Sequence, residues 1–160
     1  RRDYMKTLIL YYSGYKFNTE KIARIFKREI KADLINIKDK KNKVDFNIND
    51  YDLIGFGSGV YKEELARHIY KMVDQLDLKD KKVFVFSTSG VGAKYYNKKL
   101  INTLKLKGAI VKGAFACRGV FITKEFSKIK IFRYIEWYAK GHPNQKDFNN
   151  AKKFIEKITK

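Results

Sequence analysis

Cysteine and acidic side chains are scarce in this sequence, and long apolar runs are missing altogether. The single cysteine, Cys117, has no partner for an internal disulfide. Its place in an apolar run predicts a small buried thiol in a reducing compartment. No stretch approaches the ~18 uninterrupted apolar residues that a membrane-spanning helix needs. The opening RRDYMKTLILYYSGYK has too short an apolar core, and no small-residue cleavage pattern, for a secretory signal. A cytoplasmic protein is the expectation, with a natural start at Met5 and residues 1–4 as an N-terminal extension. Internal repeats, low-complexity segments and a domain linker are also lacking. The 160 residues are therefore expected to form one domain over 5–160, large enough to bury a core without metal or disulfide.

The shortage of acid leaves 17 Asp+Glu against 36 Lys+Arg, a formal net charge of +19. Such a field attracts anionic partners of any kind. The abundance of Lys, Asn, Ile, Tyr and Phe is also what an AT-rich genome produces without selection for a basic surface. A nucleic-acid module is the weakest reading: the basic residues are spread over nearly every helical segment and no recognition motif is present, so no specific nucleic-acid partner is expected.

What is present is an alternation of short β-type runs with amphipathic helical runs, the pattern of a parallel sheet covered on both faces. TLILYY (7–12) reads as a fully buried first strand, and Ile22, Ile25, Phe26 and Ile30 repeat at helical spacing after Asn18. ADLINI, DLIGFGS (52–58), KKVFVFSTSG and AIVKGAFACRG supply four more strands. ELARHIYKMVDQL, YYNKKLINTLKLKG and FNNAKKFIEKI supply the helices between and after them. The order predicts an α/β fold with an open, doubly wound, five-stranded parallel sheet, strand order 2-1-3-4-5. The stretch 123–141 interrupts the alternation. Read as a helix it gathers Ile131, Phe132, Tyr134, Ile135 and Tyr138 on one face and Lys130, Arg133, Glu136 and Lys140 on the other. A basic amphipathic insert of this kind either packs on the domain edge or meets a membrane, a partner or a second copy.

Open α/β sheets bind ligands beyond the carboxyl ends of the strands, where the strand order reverses. The loops expected there read SGYKFNT, GSGVYKE and STSGVGAKYY. They are rich in hydroxyl and glycine residues beside aromatics, and poor in carboxylate, histidine and cysteine. That chemistry points to a planar, phosphorylated ligand held by backbone amides and hydroxyls. In the first loop, Ser13, Asn18 and Thr19 can serve an anion at the positive end of the following helix. A plain N-cap at Asn18 or Thr19 accounts for the same residues. A phospho-accepting receiver needs an aspartate at Gly57 and an acidic pair near Ser13, and a dinucleotide fingerprint needs three glycines where only Gly14 stands. No Gly-x-x-x-x-Gly-Lys-Ser/Thr loop occurs, and neither His68 nor His142 has a catalytic partner in the sequence.

Four motifs in order resemble the flavodoxin family: S-x-x-x-x-N-T (13–19), GFGSGVY (55–61), FSTSGVG (86–92) and GAFACRG followed by KGHPNQKDFNNAKKF (113–154). The resemblance covers the chain from Met5 onward and is to single-domain, flavodoxin-like FMN-binding proteins. It implies FMN, with its phosphate at Ser13, Tyr15, Asn18 and Thr19. It places the flavin ring against Ser58, Gly59, Val60, Tyr61, Ser87, Thr88, Ser89 and Gly90, with Tyr61 and then Tyr95 as the packing aromatic. The implied function is electron transfer between redox partners, expected to carry acidic docking surfaces. The alternative is an FMN-dependent oxidoreductase acting on a quinone or a membrane-associated substrate, because flavodoxin-like protoporphyrinogen oxidases also carry a basic, aromatic-rich segment before the last helix. Electron-carrying flavodoxins commonly have a T-G-N-T turn and an acidic fourth loop, where this chain has YKFNT and SGVGAKYY. A basic surround favours the anionic fully reduced flavin and so raises the potential of that step.

Overall fold

The structure, a computed structural model, describes residues 5–14, 17–38, 46–120 and 137–160. The first strand, β1 (Thr7–Tyr12), lies inside the sheet with every residue but the last buried. It pairs in parallel with β2 (Asp33–Asn36) on one side and β3 (Leu53–Tyr61) on the other. Beyond β3 come β5 (Lys82–Ser89) and β6 (Ile110–Arg118), also parallel. The order β2-β1-β3-β5-β6 has the wiring expected of the doubly wound sheet, with one addition. The two-residue strand β4 (Glu64–Leu65) folds back antiparallel on the end of β3.

Side chains on alternate residues of β1 enter two separate cores. Ile9 and Tyr11 face α1 (Asn18–Ile30) and the last helix, α4 (Gln145–Ile158), through Phe26, Ile22, Ala151 and Ile155. Leu8 and Leu10 face α2 (Arg67–Gln75) and α3 (Lys98–Leu106) through Ile69, Val73, Leu100 and Leu104. The first core is aromatic. Phe26 packs edge-on against Phe84, Phe86 and Phe115, with ring centroids 5.6, 5.1 and 6.1 Å away. Gly55 and Gly57 stand opposite Phe84 and Phe86 in the parallel register. A Cβ on either glycine would fall 2.3 or 2.0 Å from the facing ring. The glycines of GFGSG thus make room for phenylalanines on the next strand.

Three segments depart from the sequence-based expectation. β3 runs three residues past Ser58, so Gly59, Val60 and Tyr61 are strand and not loop. The second helix starts at Arg67 and not at Glu64, because Lys62 and Glu63 take left-handed φ angles of 49° and 68° and reverse the chain into β4. That is the backbone of a two-residue hairpin turn, a conformation usually given to Asn and Gly. The last helix begins at Gln145, ahead of Phe148: the Asn144 side chain accepts the Asp147 amide at 3.1 Å, and Asp147 accepts the Asn144 amide at 2.8 Å. This reciprocal cap satisfies two helix-end donors. His142, which lacked a partner in the sequence, lies 2.5 Å from the same Asp147 carboxylate, so its role is in the cap.

Of the basic segment 123–141, residues 123–136 lie outside the described residues. At its end, residues 137–139 are helical. The Arg118 guanidinium sits 4.0 Å from the centroid of the Tyr138 ring and donates to the Tyr138 carbonyl at 3.1 Å. Among the described residues no helix is long and apolar enough to cross a membrane.

Candidate functional site

The residue at the N-cap of α1 supplies no side-chain cap. Phe17 occupies the N-cap position with a left-handed φ of 55°, and Asn18 and Thr19 lie inside the helix, both buried. The plain N-cap is therefore not their role. The Thr19 hydroxyl meets the Thr88 hydroxyl of β5 at 2.9 Å. Asn18 donates from Nδ2 to the Val120 carbonyl at 3.0 Å, while its Oδ1 is buried with no partner. The buried Ser13 hydroxyl accepts the Glu20 amide at 3.4 Å, so Ser13 steadies the first turn of α1. Tyr15 lies outside the described residues.

Asn18, Thr19, Thr88 and Val120 open onto one pocket, which Ser13 does not line. Asn18 and Thr19 form one wall, Gly59, Val60 and Tyr61 from β3 a second, and Thr88 and Ser89 from β5 with Gly90 just after it a third. The fourth wall, Gly119 and Val120 after β6, was not anticipated from the sequence. Gly119 donates its amide to the Ser89 carbonyl at 2.9 Å, and a Cβ there would come within 2.7 Å of the Asn18 amide group. Only glycine lets this loop close on Asn18. Ser58 and Ser87, expected at the ring, do not line the pocket. The Ser58 hydroxyl donates to the Gly59 carbonyl at 2.6 Å and accepts the Ala66 amide at 2.8 Å, tying β3 to the start of α2. Ser87 is buried in β5 with its hydroxyl unpaired. Tyr95 stands outside the pocket, 63% exposed, its ring against Tyr96 at 4.5 Å.

Tyr61 is the pivot of the arrangement. Its hydroxyl accepts the Gly14 amide at 3.0 Å, and its ring meets the edge of Tyr12 at 5.7 Å. Burial pushes the Tyr61 pKa up, with a lesser downward pull from the Gly14 amide, so the hydroxyl stays neutral at physiological pH. Among the described residues no carboxylate, histidine or cysteine lines the pocket, and none are grouped to hold a metal ion. Burial, followed by the Asp147 charge, pushes the Cys117 thiol well up, which keeps it from thiolate chemistry. The described walls present hydroxyls, amides and apolar surface, groups suited to holding a ligand.

Residues 8–146 match the flavodoxin domain. The chain belongs to the flavodoxin family. A 39% identical relative in Methanocaldococcus jannaschii, an uncharacterized protein, aligns over 98% of this chain and 99% of its own. Among solved structures, a flavodoxin from the domain Archaea superposes with a TM-score of 0.65 at 14% identity, covering 96% of both chains. A Lactobacillus acidophilus flavoprotein in complex with FMN matches with a TM-score of 0.52 at 27% identity, over 71% of this chain and 93% of its own.

The donor set of this flavodoxin domain fits FMN in kind. The Thr19 and Thr88 hydroxyls and the first amides of α1 offer donors suited to a phosphate, and the unpaired Asn18 oxygen is an acceptor suited to a hydroxyl of the polar chain. The Tyr61 hydroxyl accepts the Gly14 amide, one of the donors that a phosphate in this loop would use.

Proposed function

We propose that this flavodoxin-domain protein binds FMN at the carboxyl edge of its sheet and transfers electrons between redox partners. The observation that carries this reading is the convergence of Asn18 and Thr19 with Thr88 and with Gly59–Tyr61 around one pocket, with no carboxylate among the described residues that line it. The FMN complex of the L. acidophilus relative supports the same ligand. In this reading the Gly14 amide, Ser13, Asn18 and Thr19 hold the phosphate, and the positive end of α1 favours its charge. Gly59, Val60, Thr88, Ser89 and Gly90 bound the ring, and Tyr61 packs on it. Gly119 and Val120 close the far side. Bound FMN supplies the one- and two-electron chemistry; the chain supplies binding, orientation and electrostatics. Phe17, Val91 and Trp137 are exposed near the strand ends, giving apolar contact points for partners whose acidic faces match the net charge of +19.

Adding FMN to the purified chain and recording the visible spectrum tests the first half. A shifted, structured flavin band with quenched fluorescence is expected, and a spectrum identical to free FMN overturns the reading. Anaerobic titration of the loaded protein tests the second half. Reduction in two resolved steps with slow turnover of small quinones supports a carrier. Reduction in one step with rapid quinone turnover replaces it with the FMN-dependent oxidoreductase.

A further inference from the structure

Tyr61 also lines a larger cleft of about 560 Å³. Among the described residues, Tyr61 is the one wall that this cleft shares with the flavin pocket. This volume is in the range of small-molecule sites. The aromatic lining is organised. The His68 ring, on the first turn of α2, stacks on Tyr12 with centroids 4.5 Å apart and planes 12° from parallel. Tyr61 stands edge-on to Tyr12, and Tyr70 lines the cleft one helical turn beyond Arg67. Flat surfaces at right angles fit a flat guest better than an aliphatic one.

The charges decide what kind of flat guest. Lys62, Arg67 and Lys99 line the cleft against one carboxylate, Glu64, and Glu64 is already paired with Lys99 at 3.4 Å. Lys62 and Arg67 thus remain for a ligand. Ala66 gives the first amides of α2 no side-chain cap, which adds positive potential on the same wall.

We propose that this cleft is a second ligand site, separate from the flavin pocket, that takes a planar aromatic anion. The aromatic body lies along the Tyr12–His68 stack and Tyr61, and its anionic group meets Lys62 and Arg67. Arg67 suits a planar oxyanion through its forked donors. Of the residues assigned to FMN only Tyr61 also lines this site, and the Tyr12–His68 stack, Lys62 and Arg67 do not depend on the flavin reading.

The test is an NMR titration of the isotope-labelled full chain with naphthalene-2-sulfonate, run with and without FMN; visible spectra report FMN uptake separately. Saturable shifts of the Tyr12, His68 and Arg67 signals are expected. Arg67→Gln and His68→Ala should each weaken binding about fivefold, the effect of one partly desolvated contact. Both positions are exposed, so folding is not at stake. The neutral naphthalene-2-sulfonamide should bind at least about fivefold more weakly on the same grounds, and Lys153→Gln, on exposed α4 surface, should change nothing. Three results overturn the proposal: shifts centred on Asn18, Thr88 and Gly119; equal weakening by Lys153→Gln, which marks general attraction to the net charge; or no saturable shift. Failure to take up FMN leaves this test intact.

Discussion

The hydroxyl of Tyr61 accepts the Gly14 amide in the loop proposed to hold a phosphate, so the side chain and the ligand compete for one donor. Removing the hydroxyl while keeping the ring separates the two effects. Tyr61→Phe should tighten FMN binding roughly fivefold, the value of one net hydrogen bond of about 1 kcal/mol, and Tyr61→Ala should weaken it through loss of the packed ring. Fluorescence titration of FMN checks both, and a weaker Phe variant sinks the competition. Tyr96 carries a pH dependence. Burial first, then the Glu63 charge and a 3.2 Å hydrogen bond to it, push its pKa up to about 12. The raised folded-state value means the contribution is full below pH ~10, the ordinary tyrosine value, and is lost as the pH climbs through about 12. Denaturant unfolding from pH 9 to 12 should show a smaller fall in stability for Tyr96→Phe than for the parent. Equal falls would remove Tyr96 from the account. At this scale the sequence was informative about residue type and less so about contact: Thr19 and Thr88 were both expected at the site, but Asn18 meeting Val120 across 102 positions leaves no local trace.

Elements were legible where local pattern and tertiary demand agree. The run TLILYY became a buried central strand, and the spacing of Ile22, Phe26 and Ile30 became the inner face of α1. The hairpin after β3 was hidden because Lys62 and Glu63, not Asn-Gly, take the left-handed turn, so Glu64 and Leu65 read as helix. Ser58 and Ser87 were assigned to the ring by the family resemblance, at the strand ends; β3 and β5 run on past them to Tyr61 and Ser89. The glycines of β3 carry the strongest element-level demand. In Gly57→Ala the new Cβ falls 2.0 Å from Phe86 Cζ, in a ring fully buried against Phe26. Overpacking of this kind costs about 1–3 kcal/mol, a fall in Tm of roughly 2–12 °C at this size. Adding Phe86→Leu should recover part of the loss, since the two changes share one space. Thermal unfolding of the single and double variants decides it: an unchanged Tm for Gly57→Ala would mean the sheet yields without cost.

At the scale of the molecule the sheet wiring followed from the strand–helix alternation, and the pocket position followed from the wiring, because only the carboxyl ends of the strands bring distant loops together. The fourth wall at Gly119–Val120 escaped because attention to the reversal point favours the loops after β1, β3 and β5. Net charge belongs to this scale too. A charge of +19, placed about 15 Å from the flavin, the radius of gyration expected at this length, stabilises one added negative charge by on the order of 5 kcal/mol in unscreened water. The Debye length is about 30 Å at 0.01 M salt and about 3 Å at 1 M, so screening removes most of this. The sign is fixed: the basic field favours the anionic reduced flavin and raises the midpoint potential for its full reduction, and salt lowers it. Between these two salt concentrations the potential should fall by at least about 60 mV, the one-electron equivalent of about 1.4 kcal/mol. Spectroelectrochemical titration of the FMN-loaded protein measures it. A potential that stays level or rises with salt would show that the dipoles lining the pocket, and not the charge of the whole chain, set the energy of the reduced flavin.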